Sequence, residues 1–268
     1  MRCRLSGPDV EMEAFIEKLL QKINFVRPKD IERNAIFLIK SRSNIKRIVE
    51  DYFSNGTCMN WNEIIAEFSD IPLLLQIMRV CPLTDLEFEE IFKYARSALL
   101  FDCLKPSGLE KTFPFQAALA SQCFLNEYIY SLSEDEILAT KKLDEIVYKQ
   151  LNRGQQPSPG VILALASYQP LCEFSWHNLL LKTPTISDIY VAQIEEPLRE
   201  KFLKSQIPTL SNNTSDSSEL VKDQYELNPY PRWKQLKLIR NPILITDLAN
   251  GLKLNFKSDA VFDFKKPE

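Results

Sequence analysis

The sequence predicts a mainly α-helical protein: an irregular multi-helix bundle followed by a short C-terminal segment of extended strands and turns. Two observations carry this expectation. Up to about Gln206, apolar residues return at three- and four-residue steps, the period of a helix with one buried face. The chain also has only six glycines, Gly7, Gly56, Gly108, Gly154, Gly160 and Gly251. None of them forms the G-x-G-x-x-G or Walker turn that brings backbone amides to a nucleotide in a doubly wound sheet.

The elements follow in order. In DVEMEAFIEKLLQKI, the residues Phe15, Ile16, Leu19, Leu20 and Ile23 make one buried stripe. After Pro28 a second helix begins, with Ile31, Ala35, Leu38 and Ile39 on its core face. It is expected to continue through Ile45, Ile48, Val49, Tyr52 and Phe53 to a stop at Asn55-Gly56. Asn60 or Asn62 caps the next helix, which holds Ile64, Ile65 and Phe68. DIPLLLQIMRV opens with a proline where a helix start needs no N–H. Thr84 and Glu87 have the spacing of a capping box ahead of LEFEEIFKYARSALL, whose Leu86, Ile91, Tyr94, Ala95 and Leu99 are expected inside. Ser133 and Glu136 repeat that spacing ahead of ILATKKLDEIVYKQL.

FPFQAALASQCFLNEYIYSL is apolar on most faces, which places it at the centre of the domain. NRGQQPSPG is a loop, VILALASYQPL a short buried helix, and EEPLREKFLKSQ a charged surface helix. The helical domain is therefore expected over 1–208, with a polar linker, TLSNNTSDSS, over 209–218. In the remainder, 219–268, ELVKDQYEL resumes a short helix and NPYPRW ends it. PILITDL, LKLNF and AVFDF have the pattern of short strands.

Composition narrows the function. A formal net charge of -3 argues against a surface that coats nucleic acid. No apolar run has the length to cross a bilayer, and MRCRLSGPDVEMEAF lacks the apolar core of a secretory signal. Cys3, Cys58, Cys81, Cys103, Cys123 and Cys172 are scattered, as expected of reduced thiols in a cytoplasmic protein. The sequons at Asn55, Asn212 and Asn213 are then chance matches. A single histidine, His177, beside Trp176, points to a structural role rather than to a metal site or a catalytic triad. The carboxylate runs SEDE and IEEP sit where helix N-termini favour negative charge.

One cluster stands apart. In DQYELNPYPRW, Pro229 and Pro231 fix their own φ and restrict Asn228 and Tyr230, so the backbone is stiff before any ligand arrives. Tyr225, Tyr230 and Trp233 present aromatic faces with polar tips. Arg232 presents a planar fork, and Asn228 both donates and accepts. Composition allows two readings: a Pro-rich elbow packed on a neighbouring domain, or a preorganised recognition element.

Residues Val191 to Trp233 and the segment FQAALASQCFLNEYIYSLSEDE resemble the N-terminal helical part of a bacterial family of class I S-adenosylmethionine-dependent methyltransferases, often fused to tetratricopeptide repeats. The landmarks are ALASQCFLNEY, EEPLREKFLKSQIPTL and QYELNPYPRW, with CPLTDLEFEEIFKYARSALL a weaker match. The likeness thus runs from about Cys81 and is most specific at NPYPRW. The chain departs from the family at Leu227, where an acidic residue is usual, and in the polarity of SNNTSDSS.

The resemblance implies a longer enzyme in which a strand and a G-C-G-T-G type loop follow the motif and bind S-adenosylmethionine. FDFKKPE ends short of such a loop, so this chain is expected to lack the catalytic core and to be inactive alone, with no cofactor bound. Its implied partners are the missing methyltransferase domain and a protein or small-molecule methyl acceptor, without nucleic acid, membrane or metal. Tyr225, Asn228, Tyr230, Arg232 and Trp233 are then expected to line the cofactor or acceptor site. Two other readings stay open. One is a standalone helical module whose grooves bind a peptide or partner helix. The other is a regulatory domain that delivers the acceptor to a catalytic partner.

Overall fold

Alternation of helix stops and apolar stripes produces a chain of short helices. The computed structural model describes residues 7–21, 27–55, 60–104 and 112–207. The linker 209–218, the segment 219–268 with its expected strands, and the NPYPRW motif lie outside the described residues.

The helices are α1 (Val10–Gln21), α2 (Pro28–Ser41), α3 (Ser43–Asn55), α4 (Trp61–Ser69), α5 (Pro72–Val80) and α6 (Leu86–Asp102). They continue with α7 (Phe113–Leu125), α8 (Glu134–Asn152), α9 (Pro159–Ala166), α10 (Ser187–Tyr190) and α11 (Glu196–Lys204). Short 3-10 turns at Leu171–Glu173, His177–Leu179 and Pro184–Ile186 join α9 to α10, and a π-helical turn, Val191–Glu195, joins α10 to α11. Among the described residues the structure is mainly helical and contains no strand, as the periodicity predicts. No helix among them is long and apolar enough to cross a membrane.

Apolar side chains gather in two clusters. The first draws on α1 to α6 and on Phe115, Ala118, Leu119 and Cys123 of α7. The second holds the buried residues of α8 and α9 and of the turns up to Ile194, with Leu100 of α6 and Ala117 and Ala120 of α7. Helix α7 therefore runs between the clusters, the central place its all-round apolarity requires. Small residues let it approach α9 closely: a Cβ on Gly160 would meet Phe113 Cε1 at 3.2 Å.

Several local expectations are corrected, most of them by a charged partner far away in sequence or by a local cap. Phe15 is exposed, and Glu13 is buried in its place beside Ile16 and Leu20. Arg42 makes this possible by holding both Glu13 oxygens with its guanidinium. To do so the chain leaves helical geometry at Arg42, with φ -67° and ψ 133°, so α2 and α3 are separate helices. Phe53 at the end of α3 is exposed.

At the start of α6 the cap is Asp85, whose Oδ1 accepts from Phe88 N at 3.1 Å, and not a Thr84–Glu87 box. Thr84 instead gives its N–H and hydroxyl to the buried Glu32, at 2.7 and 3.0 Å, and Glu87 pairs with Lys40. Leu86, directly after the cap, is exposed, and Phe88 and Phe92 fill the core instead. The expected Ser133–Glu136 box is present in full at the start of α8. Asn60 occupies the cap position of α4 without a side-chain cap bond.

Candidate functional site

Helices α5 and α7 pack against each other, and α10 with the π turn covers part of their shared edge. Between them opens a cleft of about 260 Å³. Its size lies just below the ~300–1,000 Å³ of small-molecule sites. From α5 come Gln76, Arg79 and Val80, and from α7 come Ser121, Phe124 and Leu125. Asp188 and Ile189 of α10 and Ala192 and Gln193 of the π turn complete the lining. Phe124, Leu125 and Ile189 are buried and form an apolar floor. Arg79 is half-buried and Asp188 exposed, and neither side chain has a hydrogen-bond or ion-pair partner among the described residues.

Two buried amides fix the walls. A π turn widens the helix locally and re-aims its side chains. Here it turns Gln193 inward, where its Nε2 donates to Ala120 O at 3.3 Å and Ala166 O at 3.0 Å, and its Oε1 accepts from Leu171 N at 3.2 Å. One side chain thus ties the π turn to α7, α9 and the turn after α9. On the other wall, Gln122 of α7 is oriented to donate to Cys81 O at 3.1 Å and Met78 O at 3.3 Å and to accept from Leu83 N at 2.8 Å. It locks the end of α5 to α7.

Deeper, Arg96 of α6 is almost fully buried. Its Nη2 donates to Ser131 O at 2.9 Å and lies 3.5 Å from Glu136 Oε1. Its guanidinium sits 4.4 Å from the Tyr168 ring centroid and 5.5 Å from that of Tyr130. The Tyr168 hydroxyl donates to Glu136 Oε1 at 2.7 Å. Burial works to raise the Glu136 pKa, but hydrogen bonds from Ser133 and Tyr168 and the charge of Arg96 outweigh it and hold the carboxyl below its ordinary 4.5. This network joins α6, α8 and α9 and has the character of a structural hub.

The thiols of Cys81, Cys103 and Cys123 are not poised as nucleophiles. Burial pushes Cys81 and Cys123 up to about 12, partly offset at Cys123 by Arg96, and Cys103 up to about 11. His177 Nδ1 is hydrogen-bonded with Phe174 O at 2.8 Å, and the neighbouring Trp176 is buried with its Nε1 donating to Asp144 at 2.7 Å. Among the described residues no group of three His, Cys, Asp or Glu side chains is placed to hold a metal ion.

No family model, curated protein or solved structure matches this chain.

Tyr225, Asn228, Tyr230, Arg232 and Trp233, the residues expected from the sequence to line a site, all lie outside the described residues. The cleft is a second candidate that sequence reasoning missed. Its one sequence signal is Arg79, a lone charge closing the apolar run PLLLQIMRV.

Proposed function

We propose that this chain is the N-terminal helical, acceptor-binding portion of a cytoplasmic S-adenosylmethionine-dependent methyltransferase, without the catalytic core. One observation supports it most. The two sequence stretches that resemble that family, 115–136 and the one beginning at Val191, meet at the same cleft. Ser121, Phe124 and Leu125 of the first face Ala192 and Gln193 of the second, and Gln193 bonds Ala120 across the junction. The lining mixes an apolar floor with a polar edge and includes no cysteine or histidine, which suits holding a substrate rather than transforming it. In this reading S-adenosylmethionine binds to the Gly-rich loop of the parent enzyme, and the Tyr225–Trp233 cluster leads toward it.

The test is methyl transfer from radiolabelled S-adenosylmethionine, assayed with this chain alone and with the longer protein of the reading. Transfer is expected from the longer protein only. Label incorporated by residues 1–268 alone would overturn the assignment, as would a longer protein that neither binds the donor nor transfers from it.

A further inference from the structure

The cleft carries two charges of opposite sign on different elements, Arg79 on α5 and Asp188 on α10. They do not pair with each other, and no other described side chain neutralises either. Both charges therefore stand available to a ligand in the cleft they line. A guanidinium fork matches a carboxylate by two parallel hydrogen bonds, and a free carboxylate accepts from an ammonium. The floor between them is apolar, with Phe124, Leu125 and Ile189 buried to 4%, 2% and 1% exposure. The volume of about 260 Å³ suits a ligand the size of one residue rather than a nucleoside-bearing one.

A carboxylate, an ammonium and an apolar body occur together in one small class of molecule. We propose that the cleft binds a free α-amino acid with an apolar side chain. Its carboxylate lies on Arg79, its ammonium on Asp188, and its side chain over Phe124 and Ile189. This deepens the acceptor-binding reading and rests on it only in treating the cleft as a recognition site. Ser121 also lines the cleft with its hydroxyl donating to Ala117 O at 3.0 Å, so its oxygen is left to accept a further bond from a ligand.

The experiment is calorimetric titration of the full chain, without any methyl donor, with L-leucine, L-methionine and L-phenylalanine. N-acetyl-L-leucine, which has lost its positive charge, and L-leucinamide, which has lost its negative one, serve as controls. At least one of the three amino acids is expected to bind saturably, and both controls to bind about tenfold more weakly or not at all. Arg79→Gln and Asp188→Asn are each expected to weaken binding about tenfold with an unchanged circular dichroism spectrum and Tm, because neither side chain is in the core.

Three results overturn the proposal: no binding by any of the three at millimolar concentration, N-acetyl-L-leucine binding as well as leucine, or binding indifferent to Asp188→Asn. The second of these would mark a site for carboxylates or peptide C-termini instead. Because no donor is present, amino-acid binding by a protein that never transfers methyl groups supports this inference and sinks the enzymatic one. Transfer to an acceptor lacking either charge, with no amino acid bound, does the reverse.

Discussion

Tyr168 donates to a carboxylate that also caps a helix and faces a buried guanidinium, so its single hydroxyl supports three elements. Removing a hydrogen bond to a buried charge costs about 1.5–3 kcal/mol. Tyr168→Phe should therefore lower unfolding stability by that amount in urea, while the retained ring keeps its contact with Arg96. Glu136 gives the hub a pH dependence of definite sign. Its folded pKa is below its ordinary 4.5, so its contribution is complete above the unfolded value and is lost as pH falls through the lowered folded one. Wild-type stability should decline on acidification below roughly pH 5, and Glu136→Gln should flatten that part of the curve in a urea-midpoint series. The residue that anchors the hub, Arg96, shows in the sequence only as one of five charges in LEFEEIFKYARSALL.

Helix ends divide the legible from the illegible. The Ser133 cap was readable because both partners of its box lie within one turn, and Ser133→Ala should cost about 1 kcal/mol by denaturant melting. The other end of α8 closes with Gly154 at φ 73°, its N–H bonding Leu151 O at 2.9 Å while Gln155 N reaches Gln150 O at 3.0 Å. An added Cβ there meets no neighbour but forces an L side chain into left-handed geometry, so Gly154→Ala should cost about 1–2 kcal/mol in the same assay. Helix α7 ends by the same pair of bonds, with Glu127 at φ 58° in the place of the glycine and Tyr128 at φ 55° after it. No local signal announces that. The Thr84–Glu87 spacing misleads because Glu32 and Lys40, 52 and 47 residues away, claim its two side chains. The order of Phe15 and Glu13 on α1 is likewise set by Arg42, 29 residues on. Periodicity reports which residues are apolar, and it is silent on a distant cation that makes an acid worth burying. The cleft was illegible for the same reason: Arg79, Ser121, Asp188 and Gln193 come from separate elements and converge only after packing.

Across the whole described region, the central fact is that α7 gives buried side chains to both apolar clusters, as α6 does through Leu100. Cutting Leu119 back to alanine removes a side chain only 1% exposed, and such a cavity costs about 2–5 kcal/mol. Trp61 packs on the first cluster and Trp176 lies in the second, so each reports a different half. In Leu119→Ala the two tryptophans, followed in single-tryptophan variants, should lose native fluorescence at the same, lowered denaturant concentration. Separate midpoints would show that the halves melt independently. The cleft walls belong to different clusters, and that has a consequence of its own. Leu73, Leu74, Ile77 and Met78 anchor α5 in the first cluster, whereas Ile186, Ile189 and Ile194 anchor the opposite wall in the second. A guest seated there would touch both halves of the protein at once, so its binding would fasten one core to the other.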